Sequence, residues 1–484
     1  MPGVAVTVGA VSGPSAPTLA PASTYFVAGL ADRGPTDAPT LVTSFAQFQT
    51  LFGGRVTYSP LWNDVKLFFE EGGTRAYVVR VVGPAATTGS LTGGLEDGQA
   101  EPETTLNVSA RSAGAWSSQI TVQVLAGTTA STFRIQVRVG GVLVHDWGNL
   151  RNPQEAVSRA SASPYVVITD AGSAGVAPQN NPVPTSALAL SAGTDDRASV
   201  TSTHYLAGLA LFNRELGDGA VALPGIGTSV HAGLIAHADA NNRIALLSAA
   251  RNADKATLIG IAAALDAKRA GLFASWVRVP DEYGGTQAIS PEGYVAGARA
   301  RAHATGPWRA AAGEISRARY VVAPDKVFTT TDAEDLDDAK VNVIRDVAGS
   351  TRLYGWKSLA ADRENWEYLT GADVVNRVVT EIYDQVEPFV FGVIDSRGHL
   401  LAQLEGVLEG IVKPMADAGG LYARVDPSDP TTLLDPGYRV RVSAINDVNT
   451  AARNTVLAEV GIRVSATAAD VLLTVTKAAV TAAL

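Results

Sequence analysis

Apolar and polar positions alternate with period two at both ends of the chain. Val4, Val6 and Val8 alternate with small or polar residues at the start, and Val471, Leu473 and Val475 lie in Asp470–Lys477 near the finish. Such alternation predicts strands. Gly9–Pro21 and Ser465–Ala469 separate these two stretches from the bulk of the chain. A lone terminal strand leaves its N–H and C=O groups without partners, so each stretch is expected to pair with the body or with another copy.

Between the ends the period changes repeatedly. Thr24–Gly29 reads as a buried strand ending at a glycine, and Ala76–Val81 reads as a strand. Leu61, Val65, Phe68 and Phe69 fall on one helical face, and Gly72-Gly73 ends that helix. The alternation of strand and helix predicts an α/β core. Residues 83–105 and 172–196 are poor in large apolar groups, and the segment between them is mostly strand, with a hairpin across Gly140-Gly141. Residues 86–195 are therefore expected to form an inserted β-rich surface domain.

The core pattern resumes with strands over 219–223, 241–248 and 272–279 and a helix over 254–269. Beyond Asn342 two strands are expected, then a helix opened by a capping box at Thr370–Asp373. A second helix follows, with Pro414 kinking or ending it and Glu409 paired to Lys413. Strands over 438–445 and 456–464 close the pattern. In the latter Val456, Val460, Ile462 and Val464 share one face. The expected fold class is an α/β core plus an α+β C-terminal domain, with an inserted mostly-β domain and extended terminal strand arms. The division is 1–24 (arm), 25–85 with 196–340 (core), 86–195 (insertion), 341–465 (closing domain) and 466–484 (arm).

Composition narrows the function. A chain of 484 residues supports more than one domain, and its net charge of −9 argues against a primary nucleic-acid binder. The absence of cysteine removes disulfides, thiolate metal sites and cysteine nucleophiles. No basic-then-apolar leader is visible, so a secretory signal is not expected, and Leu258–Leu265 is too short an apolar run to span a membrane. Asn107-Val108-Ser109 is then a chance sequon.

Chemistry is sparse. There is no phosphate-binding glycine loop of the Walker or dinucleotide kind. Pro224–Ser229 reads as a strand-to-helix turn in which Thr228 or Ser229 caps the next helix. Gly227-Thr228-Ser229-Val230-His231 resembles a nucleophile elbow but carries His231 where the second glycine belongs. An α/β hydrolase using Ser229 or an aspartate is the rival reading. His237-Ala238-Asp239 can hold a metal in principle but reads better as surface or packing residues, and the acidic run Asp332–Asp338 lacks the spacing of a calcium loop. That run reads as a solvated loop or helix start, or as a contact for a basic patch on another subunit. No cofactor or metal is expected.

Three blocks then resemble contractile phage tail sheath proteins, including the sheaths of phage-tail-like contractile injection systems. The first joins Arg33-Gly34-Pro35, Leu41–Ser44, Phe52-Gly53-Gly54, Phe68-Phe69, Gly72-Gly73 and Ala76–Val81. The second joins Ile289–Gly297, Ala300-Arg301, Gly306–Ala311 and Gly313-Glu314, and the third Asn342–Arg345 with Tyr354–Leu359. Ser290 stands where the family has a second proline, His303-Ala304-Thr305 replaces a segment with an aspartate, and Lys357-Ser358 replaces Arg-Thr.

The resemblance implies a subunit that polymerises as six-fold rings around an inner tube. It also implies terminal arms that add strands to neighbouring subunits, and contraction that drives the tube through a target envelope without nucleotide. Implied partners are further copies of the chain, the inner tube protein, and baseplate and terminator proteins, with no nucleic acid and no membrane insertion. Assembly is implied in the bacterial cytoplasm, as part of a phage tail or phage-tail-like particle. Another phage structural protein, of a shell or tail terminator, is the remaining alternative. On this reading Val4, Val6, Val8, Val471, Leu473 and Val475 face pockets in a neighbour. The strand carrying Val456, Val460, Ile462 and Val464 is the candidate acceptor.

Overall fold

The computed structural model describes residues 23–469, and both predicted terminal strands lie outside them. The described chain forms two compact units that divide between Val374 and Val375. The first contains residues 23–374 and 466–469, the second 375–465.

Strand β1 (Tyr25–Gly29) is buried at all five positions because the sheet it founds is covered on both faces. Tyr25 and Val27 enter one apolar cluster, Phe26 and Ala28 the other. Edge strand β2 (Thr40–Val42) leads to α1 (Phe45–Phe52), where the Ser44 hydroxyl accepts from the Gln47 N–H. Helix α2 (Leu61–Glu70) and β3 (Ala76–Arg80) complete a parallel crossover, β3 lying beside β1.

The chain then leaves the core. Strands β4 (Thr104–Ala110), β5 (Ile120–Ala126), β6 (Phe133–Val139), β7 (Val142–Leu150), helix α3 (Pro153–Ala160) and β8 (Val166–Asp170) enclose their own apolar cluster between a four-stranded and a three-stranded sheet. The hairpin turns at Gly140-Gly141, both at positive φ. Entry and exit meet: the Gly83 N–H donates to Asp195 O at 2.9 Å, and Thr87 and Thr194 exchange backbone bonds. Arg80, buried at the end of β3, ties the two parts by donating to Ala31 O, Asp32 O and Ala113 O.

The core resumes with α4 (Ser202–Ala210), β9 (Gly219–Ala222), α5 (His231–Asn241), β10 (Arg243–Ser248), α6 (Lys255–Ala263) and β11 (Ala270–Ala274). The strand expected over 272–279 is two strands, because the chain leaves the sheet at Ser275-Trp276 and Val277–Pro280 joins a separate three-stranded sheet. Helix α7 (Glu292–His303) packs against α2, and α8 (Thr330–Asp338) carries the acidic run. Strands β12 (Val341–Val347) and β13 (Ser350–Tyr354) finish an eight-stranded sheet in the order β13-β12-β11-β10-β9-β1-β3-β2, parallel except at its two edges. The closing domain expected from residue 341 thus gives up its first two strands to the core sheet. Asn342, buried and bonded to Leu272 O and Lys357 O, fixes that junction.

Helix α9 (Leu369–Val386) begins before the expected capping box, so Thr370 and Asp373 lie inside its first turns. In the second unit α10 (His399–Asp417) continues through Pro414, and Lys413 pairs with Asp417 rather than with Glu409. Strands β14 (Tyr438–Arg441) and β15 (Glu459–Ile462) form an antiparallel hairpin.

Candidate assembly site

The residues singled out for chemistry are dispersed by the fold. Ser229 is exposed on a short turn of 3-10 helix, and neither it nor Thr228 caps α5. His231 is buried and directs Nε2 to the Ser248 carbonyl at 3.0 Å, so that ring nitrogen is engaged away from a nucleophile. His237 accepts at Nε2 from Arg243 at 2.9 Å while Asp239 pairs with Arg269. Burial first, then the Arg243 charge, hold His237 down to about 4. The acidic run is answered within the chain. Lys255 bridges Asp332 and Asp335 at 2.7 Å each, and Lys357 reaches Asp337. No cluster of three metal-ligating side chains exists among the described residues.

The second resembling block is a packing device. A Cβ placed on Gly293 would lie 2.3 Å from Asp64 O, and one on Gly297 would lie 2.5 Å from the Glu71 Cβ, so the two glycines let α7 approach α2. Around that contact sit two buried ion pairs, Glu71 with Arg301 and Asp373 with Arg299. Glu71, fully buried just past α2, accepts from the N–H groups of Arg319, Tyr320 and Val321 at 2.8–3.1 Å and from Arg301 Nη1 at 2.9 Å. Arg299 donates to Asp373 Oδ1 at 2.6 Å, so the presumed cap residue of α9 is a buried counter-ion. Burial pushes the Asp373 carboxyl upward, but Arg299 and His303 outweigh it and hold it below its ordinary range. Burial and the Arg299 charge hold His303 low.

Two further buried carboxyls, Asp64 and Glu292, have no cation partner among the described residues. Tyr25 donates to Asp64 Oδ2 at 2.8 Å, and Ser248 donates to Glu292 Oε1 at 2.5 Å. Burial, reinforced by Glu292, raises Asp64 well above the usual carboxylate range, and burial raises Glu292.

The candidate acceptor lies in the second unit. Tyr438 pairs with Ile462 and Val440 with Val460, which puts these four on one face of the hairpin. Arg439 and Arg441 on the other face both donate to Glu459 at 3.0 Å. Glu405 on α10 accepts from the Val442 and Ser443 N–H groups and the Ser443 hydroxyl, which ties the hairpin to the helix. The strand is shorter than expected. Val460 and Ile462 belong to it, Val456 precedes it, and Val464 forms an isolated bridge with Leu421. Among the described residues β14 and β15 pair only with each other as a sheet, so both outer edges carry unpaired backbone groups. A two-stranded sheet is marginal alone and gains most from an added strand.

Known proteins complete the picture. No protein-family model and no curated protein matches the chain. Solved structures do. The sheath tail protein of Listeria innocua aligns with a TM-score of 0.61 at 12% identity over 87% of this chain and 88% of its own. That of Desulfitobacterium hafniense aligns at 0.57 and 14% identity over 90% and 93%. The anti-feeding prophage helical sheath in its contracted state aligns at 0.55 and 14% identity over 99% of each chain. The chain has the fold of contractile sheath proteins.

Proposed function

We propose that this chain is the structural subunit of a contractile sheath. It polymerises as stacked six-fold rings around an inner tube and contracts to drive that tube through a target envelope. The carrying observation is the sheath fold shared over 99% of the anti-feeding prophage sheath chain. The open two-stranded hairpin supports the same reading, because a subunit with two unpaired edges and two strand-forming ends can be completed by its neighbours. Val4, Val6, Val8, Val471, Leu473 and Val475 are the side chains proposed to face the neighbouring subunit. Val460 and Ile462 lie on the accepting strand, flanked by Val456 and Val464.

The inner tube protein, a baseplate and a terminator are the proposed partners, with assembly in the bacterial cytoplasm. The role is structural: contraction is a change of packing in which small differences per interface add along a polymer. The test is to express the full chain and a version lacking residues 1–20 and image both by electron microscopy. Long hollow cylinders from the first and none from the second are expected; normal contractile cylinders from the shortened chain would refute the arm role.

A further inference from the structure

Helices α2 and α7 bring two carboxyls together in the core. Asp64 lies in the first turn of α2, Glu292 is the first residue of α7, and they are 1% and 2% exposed. Gly293 sets the approach: a Cβ there would lie 2.3 Å from Asp64 O and 2.9 Å from Asp64 Oδ1. Each carboxyl has one oxygen engaged. Asp64 Oδ2 accepts from Tyr25 at 2.8 Å, and Glu292 Oε1 accepts from Ser248 at 2.5 Å and from the Gly225 N–H at 3.4 Å. The other two oxygens, Asp64 Oδ1 and Glu292 Oε2, are buried without a hydrogen bond of good geometry among the described residues.

The groups that face the pair are all neutral. Tyr25 comes from β1, Ser248 from β10, the Gly225 N–H from the loop after β9, and Ser290 and the Gly293 N–H from the start of α7. The charged and titratable side chains of the same elements are turned elsewhere. Lys66 of α2 reaches Glu282 at 3.1 Å, Arg299 and Arg301 of α7 pair with Asp373 and Glu71, and His231 of α5 reaches the Ser248 carbonyl. Arg243, at the other end of β10, donates to Gly217 O, Phe212 O and Asn213 O.

Two ionised carboxylates in this place would repel each other across a dry contact with no cation to offset them. A carboxylic acid carries its own donor, so protonation removes a charge and supplies a hydrogen at once. Burial and Glu292 raise Asp64 against the pull of Tyr25 and the Gly293 N–H, and burial raises Glu292 against that of Ser248, Ser290 and the Gly225 N–H. We propose that Asp64 and Glu292 form a proton-binding site that fastens α2 to α7. The pair keeps at least one proton at neutral pH, and releasing it to solvent as pH rises loosens this helix contact. The folded chain holds a proton that the unfolded chain gives up. Its stabilising effect is whole below the ordinary carboxylate range and is lost as pH climbs from that range to the raised native one. The site needs no partner and stands apart from the sheath reading.

Three measurements on the full chain test it. In the infrared, the C=O stretch of a protonated carboxylic acid is expected at neutral pH, weakened in Asp64→Asn and in Glu292→Gln. Unfolding in a weak buffer at neutral pH is expected to release more protons from the unaltered chain than from either variant. In urea at about pH 6 to about pH 8.5, the folded-to-unfolded ratio of the unaltered chain is expected to fall faster with pH than that of the variants, by up to about tenfold per pH unit. Where neither variant folds, the infrared band of the unaltered chain, which must vanish on unfolding at neutral pH, decides alone. A neutral-pH spectrum without the band overturns the proposal, as does a band that both variants keep undiminished. Equal proton release and parallel pH profiles in chain and variants overturn it too, as does a metal ion bound one to one in place of the proton.

Discussion

Gly297 and Glu71 show how single residues set the core. An added methyl at Gly297 meets the Glu71 Cβ at 2.5 Å and Phe68 O at 3.1 Å. Gly297→Ala is expected to cost about 1–3 kcal/mol, as overpacking does, read as a lower denaturation midpoint. Glu71→Gln removes the charge opposite Arg301 and leaves a buried guanidinium without its counter-ion. A loss of about 3–5 kcal/mol is expected by the same measurement.

His237 gives a pH signature. Its proton affinity in the fold is depressed to about 4, while in the unfolded chain it titrates near the ordinary 6.5. The unfolded state therefore takes up a proton first as pH falls. The contribution of His237 is complete above pH 6.5 and is lost between there and about 4. Asp64 and Glu292, whose carboxyls are raised, act in the opposite sense, so the comparison must be with a variant. His237→Gln keeps an acceptor for Arg243 and is expected to show a smaller stability loss from pH 7.5 to 5 than the unaltered chain, measured by urea unfolding. An equal loss in both would refute the assignment.

At the scale of elements, period and punctuation were legible wherever local chemistry decided the outcome. The Gly140-Gly141 hairpin and the alternation of strand and helix stand as the sequence implies. Departures arose where a distant partner intervened. Asp373 looked like a cap because its true partner, Arg299, is 74 positions away. Val343 and Ile344 read as a new domain because nothing local reveals that Val341 pairs with Leu272. Pro414 stays inside α10, which runs on to Asp417. The strand expected over 456–464 was legible in its centre, at Val460 and Ile462, and is shorter at both ends.

Two expectations belong to this scale. The ends of the insertion are hydrogen-bonded to each other and its apolar cluster is its own, so replacing residues 87–194 by a short turn should leave the core folded. Some stability is lost, because Arg80 forfeits Ala113 O and Arg33 loses the rings of Trp116 and Tyr165. Circular dichroism and a cooperative thermal transition would check it; a core unable to fold would contradict it. In the hairpin, Val460→Asp puts a carboxylate among Tyr438, Val440 and Ile462. Amide exchange should rise over 438–462 while that of the eight-stranded sheet stays unchanged.

For the molecule as a whole, a rigid doubly covered sheet and an open-edged hairpin divide the labour. Buried charges around α7 hold the first as a single block: Glu71, Arg299, Arg301 and Asp373 are each 9% exposed or less. Breaking any of these pairs strands a charge, so the block is expected to move as a unit. The hairpin, with Arg439, Arg441 and Glu459 exposed, gains little from its ion pairs alone and much from an added strand. Sequence carried the general character of this arrangement through the three resembling blocks. It did not carry the meeting of Asp64 with Glu292, which belong to separate stretches, α2 and α7, and come together only in the fold.

The most direct measurement is electron microscopy of the purified full-length chain at increasing concentration. A sheath subunit completed by its neighbours forms long hollow cylinders of helical symmetry, with added strands on both edges of the β14–β15 hairpin in the reconstruction. A particle that stays monomeric at every concentration, or that closes into shells or single rings with the hairpin edges still bare, contradicts it.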